Sequence, residues 1–345
     1  MTAVDPALAL ARLPATRWRE VGAALRRAGL TERAVLACFG VRAVAHVLRA
    51  IGAGRRFDAA PPPAAVLPWL LVGGGTVARA GAARGLGDAL DALEAAGLVV
   101  AAPAAGADDD DDDADAGAPR VRATVAILPA GADALAVCDR ADGDDAGAVM
   151  FPDDSSHHLI GALPRRRVER WLDVATGAAL APLSAAGRAR EVVAVDLSPR
   201  AIAMARLGAA LSGVPLALAV ADLADGVDGG FDLVTANLPI PGERAGAGPR
   251  HRVSPPGADL IARFWRAAAA RLAPGGEALL HAALDDDPLA ALRALPGEVV
   301  VARYTPPGLA AFGVTAWRPD RPAARRVRDL ALTRDAPHVD RAAVE

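Results

Sequence analysis

The residues able to do chemistry gather in the second half of this chain. The run Phe231-Asp-Leu-Val-Thr-Ala-Asn237-Leu238-Pro239-Ile240 ends an apolar, strand-like stretch in a primary amide and a proline, in a protein with no other asparagine. Three carboxylates precede it, each closing an earlier apolar run. Asp173 opens the turn Asp173-Val-Ala175-Thr-Gly177-Ala-Ala179, Asp196 follows 23 positions later before Leu197-Ser-Pro, and Asp222 stands beside Leu223. A glycine-bearing turn after a first strand lets main chain approach a ligand closely. A carboxylate ending the next strand accepts hydrogen bonds from both hydroxyls of a ribose, and an acceptor beside a main-chain N–H suits an adenine edge. Taken singly, Asp173 also reads as a satisfied buried carboxylate and Asp196 as the cap of a helix at Ser198-Pro199. Their order and spacing, with Asn237 next, join them in one crevice at successive strand ends.

The elements that must position these groups alternate. Seven apolar runs (RWLDVA, EVVAVDL, PLALAVADL, FDLVTANL, GEALLHAAL, EVVVARYT, FGVTAW) are interleaved with helical spacing in SPRAIAMARLGAALSG, ADLIARFWRAAAARLA and DPLAALRAL. Near-continuous apolar strands with helical crossovers predict an α/β domain of three layers, its seven-stranded sheet mostly parallel. The short connection at 307–311 predicts an antiparallel last strand. Phe264 and Trp265 fall at core spacing. Before this domain, residues 6–53 and the segments LPWLLVGG, ARAGAARGL and GDALDALEAAGLVV read as helices, and VRATVAILP with ALAVCDR as an alternating hairpin. A mainly helical, winged-helix-like domain over 1–149 is expected, then the α/β domain over 150–320 and a tail over 321–345. The acidic run Asp108–Asp113 reads as a solvated loop rather than a cation site, since adjacent carboxylates repel.

Composition narrows the classes further. The 345 residues are 53% hydrophobic and 23% charged with a net charge of −3, which supplies a core but no global argument for nucleic-acid or membrane binding. All basic residues are arginine, and the alanine, glycine and proline usage suggests a GC-rich genome. Cys38 and Cys138 form no ligand pattern, and the adjacent His157-His158 make no zinc constellation by themselves. The N-terminus lacks the build of a signal peptide, and the greasiest segment is broken by Pro68 and Gly73–Gly75. A soluble cytoplasmic protein, with no membrane partner and no metal, is the expectation.

Residues 150–320, through WLDVATGAA, VVAVDLSPRAIAMARLGAAL, VADLADG, FDLVTANLPI and LAPGGEALL, resemble a class I S-adenosylmethionine-dependent methyltransferase. Within that superfamily they are similar to the release-factor glutamine methyltransferase and small-RNA-methyltransferase-like group, and residues 18–150 look like the N-terminal region of its bacterial two-domain members. The resemblance implies S-adenosyl-L-methionine as cofactor, held by Asp173, Ala175, Gly177, Asp196, Leu197, Asp222, Leu223 and Asn237. It implies that Asn237 and Pro239 present a nitrogen acceptor, with Leu238, Ile240 and His251 on the substrate side. The acceptor is expected in a protein, an RNA or a small molecule.

Two departures from the group's pattern stand out. The usual cofactor loop, Asp-x-Gly-x-Gly-x-Gly, here carries Ala175, Gly177 and Ala179, and the usual Asn-Pro-Pro-Tyr is Asn-Leu-Pro-Ile, which removes a stacking ring. A catalytically inactive cofactor- or partner-binding protein of the same fold is therefore the alternative. A nicotinamide dehydrogenase is disfavoured, because a chain without lysine has no Tyr-Lys pair.

Overall fold

The computed structural model describes residues 4–53, 61–102, 118–142, 147–241, 253–254, 259–284, 292–306, 308, 310–333 and 336–345. They form two compact units, residues 1–151 with 203–214, and residues 152–202 with 215–345. The acidic run 108–113 and His251 lie outside the described residues.

The first unit opens with helices α1 (Pro6–Ala11), α2 (Ala15–Arg27), α3 (Glu32–Phe39) and α4 (Val47–Gly52). In α2, Trp18, Val21 and Leu25 recur at helical spacing and are all buried, which is what drives that face inward. Thr31 caps α3 through the N–H of Ala34, and Gly40 ends it at φ +63°, a conformation glycine reaches without strain. Then come α5 (Val66–Leu71), β1 (Thr76–Ala78), α6 (Arg79–Leu86), α7 (Asp88–Ala95), β2 (Val99–Ala102) and β3 (Arg120–Ala123). The antiparallel sheet order β1-β3-β2 on three helices is the winged-helix arrangement. Sequence periodicity does not show β1 or β2: β2 lies where the spacing reads as the end of a helix, and the run VRATVAILP divides between β3 and the next strand. A further hairpin pairs β4 (Ala126–Ala130) with β5 (Ala134–Cys138). Its strands are buried at every position rather than at alternate ones, so both of its faces are covered.

Next along the chain come α8 (Asp154–Ala162), β6 (Val168–Val174), α9 (Leu180–Ser184), β7 (Ala189–Asp196), α10 (Pro199–Ser212), β8 (Ala217–Val220) and β9 (Phe231–Asn237), all in the second unit except α10 from Ala203 on, which belongs to the first. Two-residue strands β10 (Ile240–Pro241) and β11 (Val253–Ser254) pair with each other. The chain then runs through α11 (Leu260–Arg271), β12 (Leu272–Ala283), β13 (Glu298–Tyr304), β14 (Phe312–Arg318) and β15 (Ala324–Asp329). The sheet order is β15-β13-β14-β12-β9-β6-β7-β8, and only β14 runs against its neighbours. The expected antiparallel strand at FGVTAW is therefore present. The expected count of seven is corrected to eight, because residues 324–329, assigned to a tail by sequence, pair with β13. Their arginine-rich spelling, ARRVRD, hides a strand that lies at the sheet's edge, half-exposed.

Both faces of this sheet are packed. One core holds Leu172, Val174, Val234, Phe264, Trp265, Ala278 and Trp317. The other holds Leu159, Trp171, Leu233, Leu279, Ala316 and Val339. Phe264 and Trp265 are core residues, as their spacing predicts. At the edge away from the strand C-termini, a buried ionic network joins the C-terminal segment to the sheet. Arg318 reaches Glu277 at 2.7 Å and Glu298 at 2.9 Å, and Arg341 reaches Glu277 at 2.8 Å.

Candidate active site

The strands leave β6 outward through β7 to β8, and the chain then returns to place β9 on the other side of β6. That reversal opens a crevice at the C-terminal ends of β6 and β9, the place where open α/β sheets bind ligands. Asp173, Asp196 and Asn237 stand at the C-terminal ends of their strands, and Asp222 two residues beyond β8.

Asp173 is buried, and accepts from the hydroxyls of Thr176 at 2.6 Å and Thr235. Thr235 lies opposite it in register and accepts in turn from the indole N–H of Trp171 at 2.7 Å. Burial pushes the Asp173 carboxyl up to about 6, the two hydroxyls pull it down, and the nearby Asp196 charge adds to the rise. Its place under the turn makes it a support of the loop.

The turn itself keeps the geometry of a glycine loop. Ala175, Gly177 and Ala179 all have left-handed backbone, with φ of +54°, +55° and +54°. A side chain at Gly177 would meet nothing within 4 Å, so the main chain there is open to a ligand's approach. The N–H of Gly177 donates to Asp196 Oδ2 at 2.9 Å, and the N–H of Ser198 donates to Oδ1 at 2.9 Å. Beside Asp196, Leu197 is 69% exposed, an apolar side chain turned outward where a flat ring would lie.

Asp222 is half-buried, and Arg263 of α11 donates to its Oδ2 at 2.8 Å. Leu223 next to it has a left-handed φ of +52°. These features fit an adenosine-bearing cofactor: an approachable main-chain loop, a carboxylate at the second strand end and an apolar side chain beside it.

Asn237, the chain's single asparagine, is half-buried at the end of β9. Its Nδ2 donates to the hydroxyls of Ser155 at 2.8 Å and Ser156 at 3.4 Å, and its Oδ1 lies 2.9 Å from Nδ1 of His281. Parallel register sets His281 of β12 directly against Asn237. His281 Nε2 is 2.8 Å from the hydroxyl of Tyr304 on β13, the only tyrosine of the chain. Burial lowers the His281 imidazole to about 4, so the ring is neutral at physiological pH. The sequence puts Leu238 among the substrate contacts, but its side chain is buried in the core and its N–H donates to the carbonyl of His281 at 3.1 Å. Pro239 is half-buried after it, and the backbone of Ile240 pairs with Val253.

Ser155, Ser156, His281 and Tyr304 escaped the sequence reading. A single polar letter inside LLHAAL and a lone tyrosine were the available signals. His157-His158 divide: His158 is buried, accepts from the N–H of Val339 at 2.9 Å and packs 4.2 Å from the Tyr304 ring, so it belongs to the core behind this site.

The strand order, with its reversal at β6 and its antiparallel β14, defines a class I methyltransferase fold. Residues 149–287, less than half of the chain, match the family model described as methyltransferase small domain. A release factor glutamine methyltransferase of Deinococcus radiodurans is 43% identical over 130 residues, which cover 34% of this chain and 47% of that protein. A second, of Koribacter versatilis, is 37% identical over 105 residues, covering 28% and 37%. The chain thus spans less than half the length of the curated relatives it matches. A solved structure of the T. thermophilus 16S rRNA N2 G1207 methyltransferase with AdoMet and guanosine aligns at TM-score 0.42 and 18% identity over 80% of this chain and 70% of that one, a likeness that carries no argument. Among the described residues, no helix is long and apolar enough to cross a membrane.

Proposed function

We propose that this protein is an S-adenosylmethionine-dependent methyltransferase that acts on a nitrogen acceptor, and that the acceptor is the side-chain amide of a glutamine in a protein. The observation that carries it is the joining of Asn237 to the turn–carboxylate pair Gly177–Asp196 along adjacent strand ends. S-adenosylmethionine, when bound, supplies an electrophilic methyl group on a sulfonium. Asp196 would hold the ribose, Gly177 with Ala175 and Ala179 the methionine moiety, and Leu197, Asp222 and Leu223 the adenine.

Asn237 supplies position rather than a base. Its Oδ1 spends one lone pair on His281 and keeps a second for an acceptor N–H. His281 is neutral with both ring nitrogens engaged, so among the described residues it does not serve Asn237 as a general base. A glutamine amide suits such a site, being rich in N–H donors and in no need of a deep basic pocket.

The relatives' printed activity supports the glutamine reading, and the first unit supports protein over nucleic acid. Helix α7 stands where a winged helix reads DNA or RNA, yet it presents no basic side chain of its own: it carries the exposed Asp88, and its Asp91 and Glu94 are paired with Arg79. The test is transfer of a tritiated methyl group from S-adenosylmethionine to a bacterial release factor, against the same factor with its glutamines replaced and against ribosomal RNA. Label on the glutamine factor alone supports the reading, and label on RNA alone overturns the choice of acceptor.

A second reading keeps cofactor binding without transfer. It rests on the departures at Ala175, Ala179, Leu238 and Ile240, of which the last two change the loop that would present the acceptor, with the Leu238 side chain in the core.

A further inference from the structure

We infer that Asp153 sets the direction of every hydrogen bond in a chain of five side chains, Asp153–Ser155–Asn237–His281–Tyr304, and that His281 is thereby a positioning residue that aims the Asn237 oxygen. The inference rests on the reading of Asn237 as the residue that presents the acceptor.

The direction follows from proton counting. A carboxylate has no proton to give, so the Ser155 hydroxyl donates to Asp153 Oδ1, which also accepts the N–H of Ser155 as the cap of α8. A hydroxyl has a single proton. With it committed to Asp153, Ser155 Oγ is only an acceptor toward Asn237, and the group 2.8 Å away is the amide NH2. Ser156 takes the other amide proton at 3.4 Å. The amide nitrogen therefore faces α8 and the oxygen faces β12.

The rest of the chain follows from that oxygen. His281 Nδ1, 2.9 Å from Oδ1, must carry the ring's proton. The neutral ring then has a bare Nε2, which accepts from the Tyr304 hydroxyl at 2.8 Å. An amide flipped by half a turn would need Ser155 to donate twice, and would set an NH2 where an N–H acceptor has to dock. Amide orientation is open to choice wherever both neighbours are hydroxyls or imidazoles. Here one carboxylate removes the choice.

The surroundings hold the imidazole in place. Its ring stacks on Phe312 of β14 at 6.0 Å and on His158 of α8 at 6.0 Å, with Tyr304 of β13 beyond its Nε2. The His281 carbonyl also receives the N–H of Leu238, so one residue fixes both the Asn237 side chain and the main chain that follows it. His281 touches neither cofactor nor acceptor and acts through Asn237.

The test combines nitrogen-15 NMR of the histidines with single substitutions in the full chain. The wild type is expected to show His281 as the Nδ1–H tautomer at pH 7. H281L should bind S-adenosylmethionine as the wild type does but transfer methyl to a release-factor glutamine about a hundredfold more slowly, the cost of a misaimed group. H281N, whose Nδ2 lies near the Nδ1 position, should restore most of the rate, and H281Q, whose amide reaches toward Tyr304 instead, should not. An Nε2–H tautomer, or an H281L enzyme at full rate, overturns the inference. A wild type that binds the cofactor but transfers to no acceptor sinks the proposed activity instead, and the tautomer then decides the hydrogen-bond order alone.

Discussion

The N–H of Gly177 donates to the carboxylate of Asp196 at 2.9 Å, so the turn after β6 is tied to the end of β7 before any ligand arrives. One carboxylate thus shapes the loop, and on the proposed reading its remaining lone pairs would hold a ribose. Asp196→Ala is expected to weaken binding of S-adenosylhomocysteine by about a hundredfold, roughly 3 kcal/mol for two charge-assisted hydrogen bonds. Calorimetric titration of wild type and variant reads this directly. Equal affinities would remove Asp196 from the cofactor site.

Ala175 and Ala179 sit in left-handed backbone, which costs an L-residue with a Cβ roughly 1–2 kcal/mol. Glycine relieves that strain and loses only part of the gain to the freer unfolded chain. Ala175→Gly and Ala179→Gly should therefore leave the urea midpoint unchanged or raise it. Ala269→Gly, at an exposed position of α11, should lower stability by about 1 kcal/mol. Equal losses at all three positions would contradict the loop geometry.

Arg318 is buried between Glu277 and Glu298, both nearly inaccessible to solvent. Removing it leaves two buried carboxylates short of a partner, so Arg318→Ala should cost about 3–5 kcal/mol. Arg190 pairs with Glu169 at 3.5 Å on an open surface, and Arg190→Ala should leave the unfolding midpoint where it was. Similar midpoints for the two variants would show that the network does not bind the C-terminal segment to the sheet.

Acid should weaken the fold between pH 6.5 and 4.5. His158 and His281 are held neutral by burial, their values lowered from 6.5 to about 3 and about 4. The stability they contribute is complete above pH 6.5 and is lost as pH falls toward those values, because only the unfolded chain takes up the protons. Asp173 runs the other way. Its value is raised from 3.8 to about 6, so unfolding near pH 5 releases its proton and stability rises as pH falls through 6. Two protons taken up against one released leave a slope of about 1.4 kcal/mol per pH unit. Asp173→Asn should roughly double that slope. Urea unfolding at half-unit steps measures both, and a flat profile in the wild type would refute the assignment.

Much of the second unit was legible because its signal is local. Apolar runs alternating with helical spacing announced the layered sheet, and polar letters at strand ends announced the crevice. The eighth strand was not legible, since ARRVRD has the composition of a surface tail and becomes a strand only by pairing with β13. Leu238 was misplaced for a similar reason: its motif position suggested the substrate, while packing drew its side chain into the core.

From residue types and spacing alone came the fold class, the turn with its carboxylates and the amide that follows them, because each is written within a few consecutive residues. Tertiary structure alone decided what fixes that amide. Ser155 and Asn237 are 82 positions apart, His281 lies 44 beyond, and Tyr304 another 23. Sheet order and register bring them together, and the direction of their hydrogen bonds depends on Asp153, a helix cap that is local to Ser155 but remote in sequence from Asn237, His281 and Tyr304.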